Sequence, residues 1–163
     1  MKTKAALILL FVTFNLALSQ NPLKAFDNLV GKTWSAEGTW GNGSKFKQDI
    51  TFSYSLDSTL VVVEAMGYTD EAQTKYGNRN HGIRQFDKSS NTIKFWEFDV
   101  FGGLTEGTVI CDDKNLFYRY SYGETVVTDM WEYVDESTYN FKVGIYEDDE
   151  WKQVFLKTQF HKQ

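Results

Sequence analysis

The chain has little of what usually breaks, staples or chemically arms a fold: one cysteine, one proline and two histidines in 163 residues. A lone Cys111 excludes an internal disulfide, so the fold must stand on its own core even in an oxidising compartment. Its neighbours Val109 and Ile110 are apolar, which predicts a buried, unreactive thiol. Two histidines are a poor supply for metal or acid–base work. His81 has no His, Cys or carboxylate at ligand spacing, so no metal site is expected. The single proline, Pro22, leaves no proline-rich linker, and no repeat or low-complexity tract marks a domain boundary.

Long hydrophobic runs are also scarce. The one such run, Ala5–Leu18, follows Lys2 and Lys4 and ends at Ala17-Leu18-Ser19, with small residues at the two positions a signal peptidase reads. This pattern predicts a secretory signal over residues 1–19 and an exported domain over residues 20–163, periplasmic or extracellular. The run is short for a membrane anchor and no second one follows. Losing Lys2 and Lys4 with no acid leaves 15 bases against 22 acids, a charge of −7 in place of −5. An acidic surface argues against nucleic acid or an anionic membrane as partner. The acidic run Glu147-Asp148-Asp149-Glu150 lacks the spaced ligands and glycine of a calcium loop and reads as a solvated hairpin tip.

What is abundant is aromatic side chains, 17 % of residues, and period-two alternation. Asn21–Gly31 reads as one short helix: Asn21 caps it, Pro22 fits its first position, Gly31 its exit, and Leu23, Phe26 and Val30 share a face. From Lys32 onward the pattern is β. Asn42-Gly43 is a strong hairpin signal. Lys45–Ser55 alternates most cleanly, with Phe46, Gln48, Ile50, Phe52 and Tyr54 on one face and Lys45, Lys47, Asp49, Thr51 and Ser53 on the other. Further strands are predicted over residues 59–68, 81–86, 92–100, 105–111, 116–122, 126–134, 139–146 and 151–161, with Asp70–Asn78 as a longer polar loop. About ten strands joined by short turns must run antiparallel. An open meander would leave two exposed edges, and closure removes both. A two-sheet sandwich needs long crossovers, and only 70–78 could serve. The expected fold is therefore all-β, a closed antiparallel up-and-down barrel of about ten strands with a short N-terminal helix.

A short helix, then Leu29-Val30-Gly31-Lys32-Thr33-Trp34, then a run of antiparallel strands resembles the calycin group: lipocalins, fatty-acid-binding proteins and nitrobindin-like haem barrels. The chain is more closely similar to uncharacterised lipocalin-like proteins exported by bacteria, through Phe86-Asp87 to Gly103 with Phe95-Trp96-Glu97-Phe98-Asp99 inside it. The resemblance implies a barrel holding a small molecule, with Trp34 closing the floor. Here Gly31 and Trp34 are spaced Gly-x-x-Trp against the lipocalin Gly-x-Trp, and the last strand offers Lys157 and Lys162 where lipocalins pack an arginine on that tryptophan. The final strand lacks the Arg-x-Tyr pair of fatty-acid-binding proteins. His161 stands where nitrobindin-like barrels place a haem ligand, but two residues from the chain end among polar neighbours, so no cofactor is expected.

Three readings of function remain open. The first is a binding barrel for a mostly apolar small molecule, with an anionic head where an inward arginine offers its fork. The second is an enzyme using inward carboxylates. The third is a packed barrel acting through its surface. Candidate cavity residues are the rings Trp34, Phe52, Trp96 and Trp131, the acid Glu64, and the bases Arg84 and Arg119. Glu97 and Glu132, each between two aromatics, could equally face in or out. No catalytic set is recognisable.

Overall fold

The computed structural model describes residues 21–163, and the predicted signal segment lies outside them. Ten antiparallel strands follow one another: β1 (Thr33–Thr39), β2 (Lys45–Ser55), β3 (Leu60–Tyr68), β4 (Tyr76–Asp87), β5 (Thr92–Asp99), β6 (Leu104–Asp112), β7 (Asn115–Tyr122), β8 (Thr125–Asp135), β9 (Thr138–Glu147) and β10 (Glu150–Lys162). Each pairs with its sequence neighbours, and β1 pairs with β10 through Trp34 opposite Lys162 and Ser35 opposite His161, closing the barrel. No helix among the described residues is long and apolar enough to cross a membrane.

The alternation in β2 falls as expected. Phe46, Ile50 and Phe52 are buried, while Lys45, Thr51 and Ser53 are exposed. Because the side-chain period is two, this one facing fixes the register of its partners: Trp34 and Ala36 of β1 and Val61, Val63 and Ala65 of β3 lie on the same inner face.

Two expectations about local structure are corrected. The predicted helix over 21–31 is a five-residue 3-10 helix, Pro22–Phe26, capped by the Asn21 side chain accepting from the Leu23 amide at 3.0 Å. The side chains driven inward are Leu23, Phe26 and Leu29, spaced by three, the 3-10 period; Val30 is only half-buried. The chain then leaves the helix early because the sheet captures it. Val30 bridges to Phe52, and the Gly31 amide donates to the Phe52 carbonyl at 2.9 Å, with Gly31 at φ +74°. The second correction is the loop predicted over 70–78: β4 already begins at Tyr76, opposite Tyr68. Its first residues look like loop because both of their faces are polar. A bulge between Ala65 and Met66 of β3 lets Asn80, Asn78 and the intervening Arg79 fit against the partner strand.

The barrel has two unlike ends. At the lower end, the 3-10 helix lies across the opening and Tyr54 Oη donates to the Leu23 carbonyl at 3.0 Å. Above it Trp34 is fully buried, donates Nε1 to the Leu29 carbonyl at 3.2 Å and meets Tyr139 edge-on at 5.2 Å. Trp131 stacks on Phe160 at 4.3 Å between ring centres and takes Phe52, Tyr139 and Phe141 at 5.3–5.8 Å around it. This end is solid, as interiors normally are. The upper end, where β1–β2, β3–β4 and β5–β6 turn, is open.

Candidate ligand-binding site

Above Trp131 the interior is not filled. A cavity of about 300 Å³ runs from the aromatic layer of Phe52, Trp131 and Phe141 to a mouth edged by Trp40, Lys45, Tyr68 and Arg79. The β3–β4 loop is tied over one side of that mouth. Gln73 accepts from the Lys45 amide at 2.8 Å and donates to the Lys45 carbonyl at 2.7 Å.

A polar cluster sits in the wall. Arg84, in β4, is 4 % exposed and donates Nη2 to Glu97 Oε2 at 2.6 Å and Nε to Tyr118 Oη at 3.3 Å. Its guanidinium also lies over the Phe95 and Tyr118 rings, at 5.6 and 5.1 Å from their centres. Glu97 Oε1 accepts from Asn80 Nδ2 at 3.0 Å, so one carboxylate holds both the arginine and the amide. Gly82 makes the arrangement possible. A Cβ there would lie 2.0 Å from Arg84 Nη1, so any side chain would displace the guanidinium. Nη1 itself is buried against that backbone without a hydrogen-bond partner, and Asn80 Oδ1 is likewise buried and unpartnered.

The second acid in the wall is Asp129 of β8. Tyr120 donates its hydroxyl to Asp129 Oδ1 at 3.0 Å. Burial raises the Asp129 carboxyl to about 7; Glu97 pushes the same way, and the Tyr120 bond and Arg84 pull against it. Among the described residues no cation pairs with Asp129, in contrast to Glu97. Burial also drives the Tyr118 and Tyr120 hydroxyls upward, so both stay protonated and serve as donors.

Of the residues singled out from sequence, Phe52, Arg84 and Trp131 line the cavity. Trp34 is buried one layer below, in the solid floor. Trp96, Glu64 and Arg119 face outward. In β5 the inward pair is Phe95 and Glu97, which puts Trp96 on the outer face. In β7 it is Tyr118 and Tyr120, which puts Arg119 outside and exposed. Glu64 lies outside beside His81, Oε1 to Nδ1 2.9 Å, both more than half exposed. Glu132 is also outside, accepting from Asn140 Nδ2 at 3.1 Å. Parity was ambiguous in these strands because apolar side chains occupy both faces, aromatic in β5 and β7, aliphatic in β3 and mixed in β8. Asp129, Tyr120 and Asn80 were missed. Asp129 carries a usable signal: it shares parity with Val127 and Trp131, so an inward Trp131 brings Asp129 in with it. Cys111 is half-buried against the core, and burial raises its thiol to about 11, so it is inert at neutral pH.

No family model and no curated protein sequence matches the chain. Among solved structures it is similar to the S-type phycobiliprotein lyase CPES from Guillardia theta, with a TM-score of 0.50, 12 % identity, and coverage of 85 % of this chain and 89 % of that one. At that identity the likeness concerns the fold, and it agrees with the barrel described above.

Proposed function

We propose that the protein is an exported binding barrel for one small molecule with a largely apolar body and a polar head. The observation that carries this reading is the unfilled upper half of a barrel whose lower half is packed solid. A volume of about 300 Å³ stands at the small end of ligand sites, and such sites combine apolar walls with few fixed polar groups. Phe95, Trp131 and Phe141 supply the apolar wall; Arg84, Glu97, Tyr118 and Asp129 supply the polar end. Buried polar groups held by one another in fixed positions are already organised for a ligand and lose little on binding. The anionic head expected from an inward arginine has less to hold it, because Glu97 already neutralises Arg84 at 2.6 Å.

Trp131 in the cavity floor reports occupancy. Titration with small amphiphiles should change its emission in the wild type. A Val63→Trp variant, which fills the cavity from β3, should abolish that response while folding normally. A panel that leaves the emission untouched in the wild type would remove the binding reading.

A second reading rests on Asp129. A carboxyl held near 7 in a cavity is suited to acid–base work, and enzymes tune carboxyls this way. It predicts turnover that Asp129→Asn abolishes while ligand still binds. Export is part of the proposal and rests on the residue 1–19 pattern; N-terminal sequencing of the protein outside the cytoplasm should begin near Gln20.

A further inference from the structure

The head group can be named from the charge balance inside the barrel. Of the charged side chains that line the cavity, Lys45, Lys47 and Arg79 stand toward the mouth, Lys47 paired with Glu37, and three stand deeper: Arg84, Glu97 and Asp129. Arg84 and Glu97 cancel, and both Glu97 oxygens are occupied, one by Arg84 and one by Asn80. Asp129 has one oxygen occupied by Tyr120. Its other oxygen, Oδ2, has no hydrogen-bond partner among the described residues and belongs to a side chain that lines the cavity. The remaining free acceptor nearby is Asn80 Oδ1. Arg84 Nη1, the guanidinium nitrogen without a hydrogen-bond partner, is buried against the Gly82 backbone. The apolar lining is rich in rings, Phe95, Tyr118, Tyr120, Trp131 and Phe141, beside the aliphatic Val63 and Val143.

An enclosed cluster is most stable with no net charge, because a lone buried charge carries its full desolvation cost. An anionic head would add a third negative group to Glu97 and Asp129 against one arginine. A cation brings the sum to zero with Asp129 ionised, finds an acceptor in Oδ2, and meets aromatic faces that attract it. We infer that the cavity takes an aliphatic amine, its ammonium docked on Asp129 Oδ2 and its hydrocarbon body against Trp131 and Phe141. This names the ligand class of the binding barrel proposed above and rests on that reading.

The geometry also fixes a pH dependence. The groups facing Asp129 are Tyr118 and Tyr120 from β7, Glu97 from β5 and Arg84 from β4; from β9 it faces Val143, which does not titrate. Over pH 5–9 the tyrosines stay protonated and Arg84 stays charged. An aliphatic amine, with an ordinary pKa near 10.4, stays cationic as well. Asp129 is then the group whose ionisation the ligand must wait for. Amine affinity should be full above pH 7 and fall about tenfold per unit below it.

The test uses hexylamine, hexanol and hexanoate, equal in chain length, titrated into the full mature protein by calorimetry at pH 5.5, 7 and 8.5. The amine is expected to bind at least tenfold more tightly than the alcohol at pH 8.5 and to lose about that factor at pH 5.5. The hexanoate should show the opposite slope. Asp129→Asn keeps an acceptor for Tyr120, and its melting temperature verifies the fold. In that variant the amine should lose at least tenfold and its pH dependence should vanish, while the hexanol affinity stays. Equal affinity of amine and alcohol, tighter hexanoate, or an undiminished amine in Asp129→Asn overturns the amine assignment and leaves the cavity reading standing. If none of the three binds, the cavity reading falls and the assignment falls with it.

Discussion

Two residues apart on β8, Trp131 and Asp129 face the same interior and meet opposite surroundings. Trp131 touches four aromatic neighbours: Phe52, Tyr139, Phe141 and Phe160 close around it, with Trp34 behind Tyr139. Asp129 looks into open space with one hydrogen bond. The lower end is where the chain enters, where the 3-10 helix docks and where β10 is pinned to β1 by Trp34 and Ser35. Its side chains have little choice but to fill volume. The upper end is relieved of that duty because the hydrogen-bonded wall closes without it, so it can hold polar groups that would weaken a core. Dense packing fills one half, and buried polar groups line the other.

The largest effect should come from breaking the layer that separates the halves. Trp131→Ala removes the side chain on which Phe52, Phe141 and Phe160 converge, and should cost about 3–5 kcal/mol, the range for deleting a buried large aromatic. Chemical denaturation gives the number. A loss under about 1 kcal/mol would mean that the cavity and the floor form one loosely filled space and that the contrast between them is false.

The next effect tests the polar half. Glu97→Gln leaves Arg84, almost wholly buried, without its counterion, and should cost on the order of 3 kcal/mol, held to the low end because Glu97 is itself partly open to the cavity. Replacing the pair together, Arg84→Met with Glu97→Leu, should recover most of that loss, since apolar residues of similar size commonly replace a buried pair without penalty. It should also remove polar-head discrimination in ligand titrations. A double variant less stable than the single one would show that the pair supports the fold and not the cavity's selectivity.

Stability against pH separates the halves in another way. Asp129 keeps its proton up to about 7 in the fold, against roughly 3.9 in an unfolded chain. Between those values the folded state binds more protons at this group, so the contribution of Asp129 is full below about pH 4, falls as pH rises toward 7 and levels off above it. Comparing Asp129→Asn with wild type isolates this group from the surface carboxylates that titrate in the same range. The variant should melt higher than wild type at pH 8, by about 5 °C, and the gap should close by pH 4.5. A gap that persists unchanged at pH 4.5 would assign the gain to packing and not to the buried charge.

The same contrast explains what could be read from the sequence. β2, which runs from the mouth to the floor, was legible because it alternates cleanly: Phe46, Ile50 and Phe52 against Lys45, Thr51 and Ser53 leave one facing only, and the count of ten strands follows from the turns between such runs. The cavity end was obscure for the reason that makes it a cavity. Its inner face mixes polar with apolar residues, so inside and outside look alike. Tyr76–Asn78 read as loop for this reason, and Phe95-Trp96-Glu97-Phe98 offered aromatics to both faces. Only pairing to a neighbour of known facing resolves them: Arg84 sits opposite Phe95 and Val61, both buried. The helix was misread for a different reason: Leu23, Phe26 and Val30 fit a period of 3.6, Leu23, Phe26 and Leu29 fit a period of three, and the capture of Val30 by Phe52 depends on a contact distant in the chain.

The smallest expected effect bears on the facing of β7. Arg119 stands between Tyr118 and Tyr120, whose hydroxyls reach Arg84 and Asp129 inside the barrel. Neighbours on a strand point to opposite faces, so Arg119 is held outside, opposite Thr108 of β6 and Thr128 of β8. Arg119 forms no ion pair among the described residues, and an exposed, unpaired side chain on an outer face contributes little. Arg119→Ala should change stability by less than about 0.5 kcal/mol and leave amphiphile titrations and their pH dependence as in wild type. Arg84→Ala, on the inner face of β4, should disturb both. Sensitivity of binding to Arg119 would place the wrong face of β7 in the cavity. Since a strand shifts all its side chains together, it would take Tyr118, Tyr120 and the support of Asp129 out with it.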